Sequence, residues 1–129
     1  MEPLPRDVVA LLEKPNPAVV ATVRRDGAPV SAAVWYLWDD GDLLLTMGAA
    51  SPRRSHLQRD RRLTLTVLDA AGWYRQVTLH GEVVELADDP DRAVIDRLSR
   101  HYDGRDFADA GQAHAFARVR VVGWNTFGI

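Results

Sequence analysis

The spacing of apolar positions along this chain changes several times, and each change marks an element. Val8, Leu11 and Leu12 recur at helical spacing within residues 7–13. Lys14-Pro15 ends that helix, because proline has no amide donor and disfavours helix in the residue before it. The period then shortens. "AVVATVRR" is rich in β-branched residues and runs into Asp26-Gly27, a hairpin signal; "PVSAAVWYLW" follows as a second strand, Asp40-Gly41 as a second turn and "DLLLTM" as a third strand. These three strands are expected to form an antiparallel meander. Ser51-Pro52 is a helix start, with serine able to cap and proline suited to the first helical position. Residues 53–59 form the short helix, with Leu57 as its core anchor. "RLTLTVLD" alternates as a fourth strand, "AAGW" turns, and "YRQVTLHGEVVEL" is a long fifth strand in which Gly81 predicts a bulge or close backbone approach. Asp89-Pro90 opens a further helix by the same cap-and-proline logic, with Val94, Leu98 and Tyr102 on one face. The last strand, "AHAFARVRVVGWNTF", sets Ala115, Ala117, Val119 and Val121 against Phe116, Arg118 and Arg120. Six strands joined by hairpins, with two or three short helices, favour a small, mainly β antiparallel barrel over a parallel sheet.

Composition narrows the function more than the fold. The 129 residues are expected to form a single domain spanning 1–129. There is no cysteine, which removes disulfides, thiolate chemistry and cysteine-ligated metals. The four histidines show neither HxxxH nor HxH spacing, so no metal site is expected. No signal pattern or membrane-length apolar run is visible, and the expected location is cytoplasmic. The formal net charge is −2, whereas a nucleic-acid-binding domain is usually basic overall. Among 16 basic residues only Lys14 is lysine, which together with abundant Ala and Asp points to a GC-rich bacterial genome.

Against that acidic balance, residues 46–62, "TMGAASPRRSHLQRDRR", carry five arginines and one acid. Arg53 and Arg54 fall in the first turn of a helix, where the macrodipole disfavours cations. Arginines there make sense when an anion lies between them and the free backbone amides, and Thr46, Gly48 and Ser51 add hydroxyls and flexible backbone for the same ligand. A phosphate-bearing cofactor is the natural occupant; a solvated arginine face is the alternative.

The element order, the segment "T..G....R..HL.RD.R" and the closing "RVRVVGWNTFG" resemble the flavin/deazaflavin split β-barrel family, the pyridoxamine 5′-phosphate oxidase-like group, and within it the branch using the deazaflavin cofactor F420. The likeness runs from about Leu11 to Phe127. It implies an FMN-binding-like, six-stranded split barrel, assembled as a homodimer with cofactor sites at the interface. It makes Arg53, four residues before Leu57, the phosphate partner. The family typically has lysine there, and the FMN-using oxidases an Arg-Lys pair, where this chain has Pro52-Arg53. "VSAAVW" also lacks polar side chains that some relatives place against the cofactor ring.

The cofactor-binding candidates are then Trp35, Thr46, Met47, Gly48, Ser51, Arg53, Arg54 and Trp73. Arginine suits bidentate recognition of phosphate or carboxylate. Thr46 and Ser51 would hydrogen-bond phosphate or polyol, and Met47 and Gly48 would line the ring through their backbone. Tyr36 and Trp38 share one face of their strand and Trp35 takes the other; Trp73, on a turn, is a candidate for the substrate mouth. No catalytic triad or nucleophile motif is visible, and no catalytic residue is assigned. That fits hydride transfer, in which the cofactor performs the difficult step. The resemblance implies an F420-dependent oxidoreductase acting on a small conjugated substrate. The alternatives are an FMN-dependent oxidoreductase on the same barrel and a non-catalytic F420 or flavin carrier.

Overall fold

The computed structural model describes residues 1–109 and 111–129. Its elements are α1 (Arg6–Leu12), β1 (Ala18–Val23), β2 (Pro29–Val34), β3 (Leu37–Asp39), β4 (Asp42–Gly48), α2 (Pro52–Arg59), β5 (Arg62–Leu68), β6 (Gln76–Asp88), α3 (Ala93–Asp103) and β7 (His114–Phe127). Among the described residues, no helix is long and apolar enough to cross a membrane.

All seven strands join one antiparallel sheet in the order β2-β1-β5-β6-β7-β4-β3. Two expectations are corrected here. The strand foreseen as "PVSAAVWYLW" breaks at Trp35-Tyr36, giving seven strands rather than six. The first three expected strands also do not form a meander: β1–β2 and β3–β4 are hairpins, but β2 and β4 are not neighbours. The reason is curvature. β2 and β3 lie at opposite edges of the sheet, yet Val34 and Leu37 are three residues apart and at most about 11 Å from each other. The sheet therefore curls until its edges approach, and Trp35-Tyr36 carries the chain across the split in an unclosed barrel.

Both Asp-Gly pairs lie in hairpin turns, but in different ones: at Asp26-Gly27 only the glycine has positive φ, in a loop closed by Gly27 N donating to Arg24 O at 2.9 Å. Asp40 and Gly41 have φ of 52° and 88°, the pair of positive values that a two-residue type I′ hairpin needs. The long strands supply the core by alternation: Leu43 and Leu45 of β4, Leu65 and Val67 of β5, Val77 and Leu79 of β6, and Ala115, Ala117 and Val119 of β7 are almost wholly buried. To these α1 adds Val8, Leu11 and Leu12, and α2 adds Leu57. Ladder register shifts between His80 and Gly81 place the expected bulge. A Cβ at Gly81 would collide with Val119 Cγ1, so the neighbouring strand fits only against glycine.

The helix expected to open at Asp89-Pro90 begins three residues later, at Ala93. Its cap is nevertheless Asp89, whose carboxylate accepts from Val94 N (3.1 Å) and Ile95 N (3.0 Å) across a turn closed by Arg92 in the left-handed region. α3 lays Leu98 on Leu37 and Leu44, forming a second, smaller apolar cluster that includes Trp35.

Candidate functional site

Ser51 caps α2 as its sequence foretold, its Oγ accepting from Arg54 N at 3.4 Å, with Pro52 in the first turn. This sets the direction of the helix against the β1–β2 hairpin and encloses a cavity of about 230 Å³. Its polar wall comprises Thr22, Ser31, Ser51, Arg53 and His56; Val20, Val30, Ala32 and Pro52 complete it. Among the described residues, no carboxylate lines it. Arg53 is half-buried there, and loss of water alone holds its pKa below the ordinary arginine value. The guanidinium remains charged, since arginine does not give up its proton in proteins. A cationic group in a hollow lined by no acid among the described residues is able to receive an anion.

His56 was passed over in the sequence because its spacing suits no metal site. In the structure it is buried, three residues along α2 from Arg53, with Nδ1 3.0 Å from Thr22 Oγ1. Spacing of three on a helix puts both side chains on one face, a signal present in the sequence. Its threonine partner, 34 residues away, is not legible there.

A second, largely apolar cleft of about 590 Å³ adjoins the first. Trp35 stacks on Tyr102 with ring centres 5.2 Å apart and planes 9° from parallel, and Phe107 meets Trp35 edge-on at 6.2 Å. Pro15, Pro17, Ala18 and Val34 complete most of the wall. Tyr102 is held for structure: its hydroxyl donates to Asn16 O (2.7 Å) and accepts from Tyr36 N (3.3 Å), and burial pushes its pKa up to about 12. Tyr36, on the opposite face as foreseen, donates to Leu12 O at 2.8 Å inside the main core, and burial raises its pKa well above the ordinary tyrosine value. Neither phenol acts as an acid or base near neutral pH. The two hollows sit side by side on one face of the β1–β2 ladder. The pair Ala18–Val34 borders the cleft, and the pair Val20–Ala32, two residues or about 7 Å along, borders the cavity.

The structure thus brings Ser51 and Arg53 together and sets Trp35 in the neighbouring cleft. Gly48 lies at the end of β4, bordering a separate hollow with Ser51 and Gln112. The other four candidates line neither the cavity nor the cleft. Thr46 donates its hydroxyl to Ala115 O at 3.2 Å, and the Met47 side chain belongs to the core. Arg54 is bound to Asp88 at 2.7 Å and to Ala49 O at 3.1 Å, tying α2 to the end of β6. Trp73 is 69% exposed on the turn between β5 and β6.

An open antiparallel barrel with a cationic cavity beside an aromatic cleft is the architecture of a split β-barrel. The sequence profile of the pyridoxamine 5′-phosphate oxidase family matches residues 4–127, and the chain belongs to that family. Among solved structures it is similar to an F420 reductase, with 28% identity and a TM-score of 0.85 over 95% of this chain and 98% of that one. A conserved hypothetical protein from Mycobacterium tuberculosis shares 19% identity and a TM-score of 0.78, covering 98% of this chain and 86% of its own. A third, related to general stress protein 26 and assigned to the pyridoxinephosphate oxidase family, comes from Clostridium acetobutylicum. It shares 18% identity and a TM-score of 0.68 over 94% of this chain and 85% of its own. No curated protein sequence matches the chain.

Proposed function

We propose that this protein is an F420-dependent oxidoreductase that exchanges a hydride between the deazaflavin and a small conjugated substrate. The observation that carries the reading is the half-buried Arg53 in a cavity without carboxylates, beside a cleft walled by stacked aromatics. An elongated cofactor with an anionic tail and a planar ring fits that pair of hollows. Arg53 and the Ser51 end of α2 would hold the phosphate, while Trp35 and the apolar wall would flank the ring. When bound, the cofactor supplies the hydride chemistry. The chain supplies position and an apolar wall: the cleft is mostly hydrocarbon, and its one phenol, Tyr102, is committed to backbone partners.

A homodimer belongs to the same reading. On β1, β5 and β6, Val19, Ala21, Val23, Thr64, Thr66 and Thr78 alternate with the core-facing residues and are small and only partly buried. A face of small, partly buried side chains suits sheet-on-sheet packing with a second copy.

Family membership favours FMN as the second reading, on the same cavity. Titration of the purified protein with F420 and, separately, with FMN, followed by cofactor fluorescence, decides between them. The expected result is preferential F420 binding and turnover with conjugated acceptors. Tight F420 binding without turnover across a broad panel would make it a carrier. Binding of FMN alone would keep the site and change the cofactor, and binding of neither would overturn the reading.

A further inference from the structure

Arg53 is not the only group in its cavity able to meet an anion. His56 stands one helical turn further along α2, lines the same hollow and is 9% exposed. Its ring is oriented by the contact between Nδ1 and Thr22 Oγ1 at 3.0 Å. A threonine hydroxyl can donate to a ring nitrogen or accept from it. When Thr22 donates to Nδ1, the ring hydrogen sits on Nε2. When the ring gains a second proton, Nδ1 donates to Thr22 instead, and Nε2 is still a donor. In these two states Nε2 carries an N–H, and in the second the ring is also positively charged; in the other neutral tautomer, Nδ1–H donates to Thr22 and Nε2 accepts, and an entering anion disfavours it.

We propose that His56, oriented by Thr22, is a second anion contact beside Arg53, and that it takes a proton from solvent when a phosphate group enters the cavity. Anion affinity then rises as pH falls. This rests on the cavity being where the cofactor's anionic tail lies. The charged surroundings leave His56 as the responsive group. Arg53, on its own helix, stays cationic at every accessible pH. From β1 it faces the neutral Thr22, and β2 contributes the neutral Ser31 to the cavity. The one titratable residue of β4, Asp42, pairs with Arg118. On β6, Asp88 pairs with Arg54 and Glu82 with Arg120, while His80 and Glu85 are exposed.

The test uses the full chain, wild type and His56→Gln, with sulfate and F420 as probes. Sulfate keeps its charge between about pH 6 and pH 8, the range in which imidazoles commonly titrate. Sulfate is expected to shift the His56 imidazole nitrogen resonances in the nuclear magnetic resonance spectrum. F420 affinity of the wild type is expected to fall as pH rises from about 6 to about 8, approaching but not exceeding tenfold per pH unit, the limiting slope for one linked proton, with a markedly flatter profile in His56→Gln. Thr22→Val, which deletes the hydroxyl at similar volume, should also flatten the profile and reports on the same point if the glutamine variant fails to fold. Unmoved His56 resonances, or identical pH profiles in wild type and variants, overturn the proposal. The two readings fail separately. A sulfate response without F420 binding removes the cofactor assignment and keeps the His56 site; F420 binding with a silent His56 does the reverse.

Discussion

Replacing Arg53 with methionine separates two consequences of one half-buried charge. Methionine keeps an unbranched stem for packing and removes the guanidinium. In the ligand-free protein that group has lost water without gaining a carboxylate, and burial alone lowers its pKa. Its desolvation is uncompensated, so the variant is expected to fold at least as stably as the wild type. Partial exposure keeps the gain small, about 1 kcal/mol or less. With ligand the sign reverses. A hydrogen bond to a charged group contributes about 1.5–3 kcal/mol, so F420 should bind about 10- to 150-fold more weakly. Urea unfolding without ligand, followed by tryptophan fluorescence, reads the first effect; fluorescence titration reads the second. A variant that is destabilised by about 2 kcal/mol or more, or that binds F420 like the wild type, would refute the assignment of Arg53 as an anion contact.

Three further outcomes are expected. Asn16 is buried, with Nδ2 donating to Leu11 O (2.8 Å) and Oδ1 accepting from Ala70 N (3.1 Å); Asn16→Ala leaves Ala70 N without that partner and Leu11 O with only the Lys14 amide (3.3 Å), and should cost about 1–3 kcal/mol in urea unfolding. Gly81→Ala should cost about 1–3 kcal/mol through its clash with Val119, whereas Gly72→Ala, where a Cβ meets nothing within 4 Å, should be near neutral by the same assay. Asp39 accepts from Arg97 (2.8 Å) and Arg118 (3.1 Å), and these partners, Arg97 first, hold its carboxyl below the usual range. Because the folded pKa is depressed, this contribution is full above the unfolded value of about 3.9 and is lost as pH falls through the folded one. Asp39→Asn should therefore cost about 1 kcal/mol at neutral pH and progressively less under acid; a penalty of equal size at about pH 3 would count against that pairing.

What the sequence by itself determined was whatever depends on neighbours a few residues apart. Asp40-Gly41 encodes its turn because both positions need positive φ, and Ser51-Pro52 encodes a helix start because cap and proline act within one turn. The alternation of β5 and β7 marks their buried faces for the same local reason. The whole-chain likeness to the split-barrel family, which the family profile and the structural relatives support, also rests on such short signals kept in order. The tertiary structure decided whatever depends on how the sheet curls. Nothing local marks Trp35-Tyr36 as a crossing point, since those residues favour a continuous strand. The break exists because β2 and β3 pair with partners at opposite edges. The same curl brings Thr22 to His56 and Asp88 to Arg54, each 34 residues apart. Sequence alone left Arg53 and Arg54 as adjacent candidates for one anion. Folding separated them, binding Arg54 to a carboxylate and leaving Arg53 in a hollow that has none. Helical geometry points consecutive side chains about 100° apart, and only the surrounding sheet determines what each then meets.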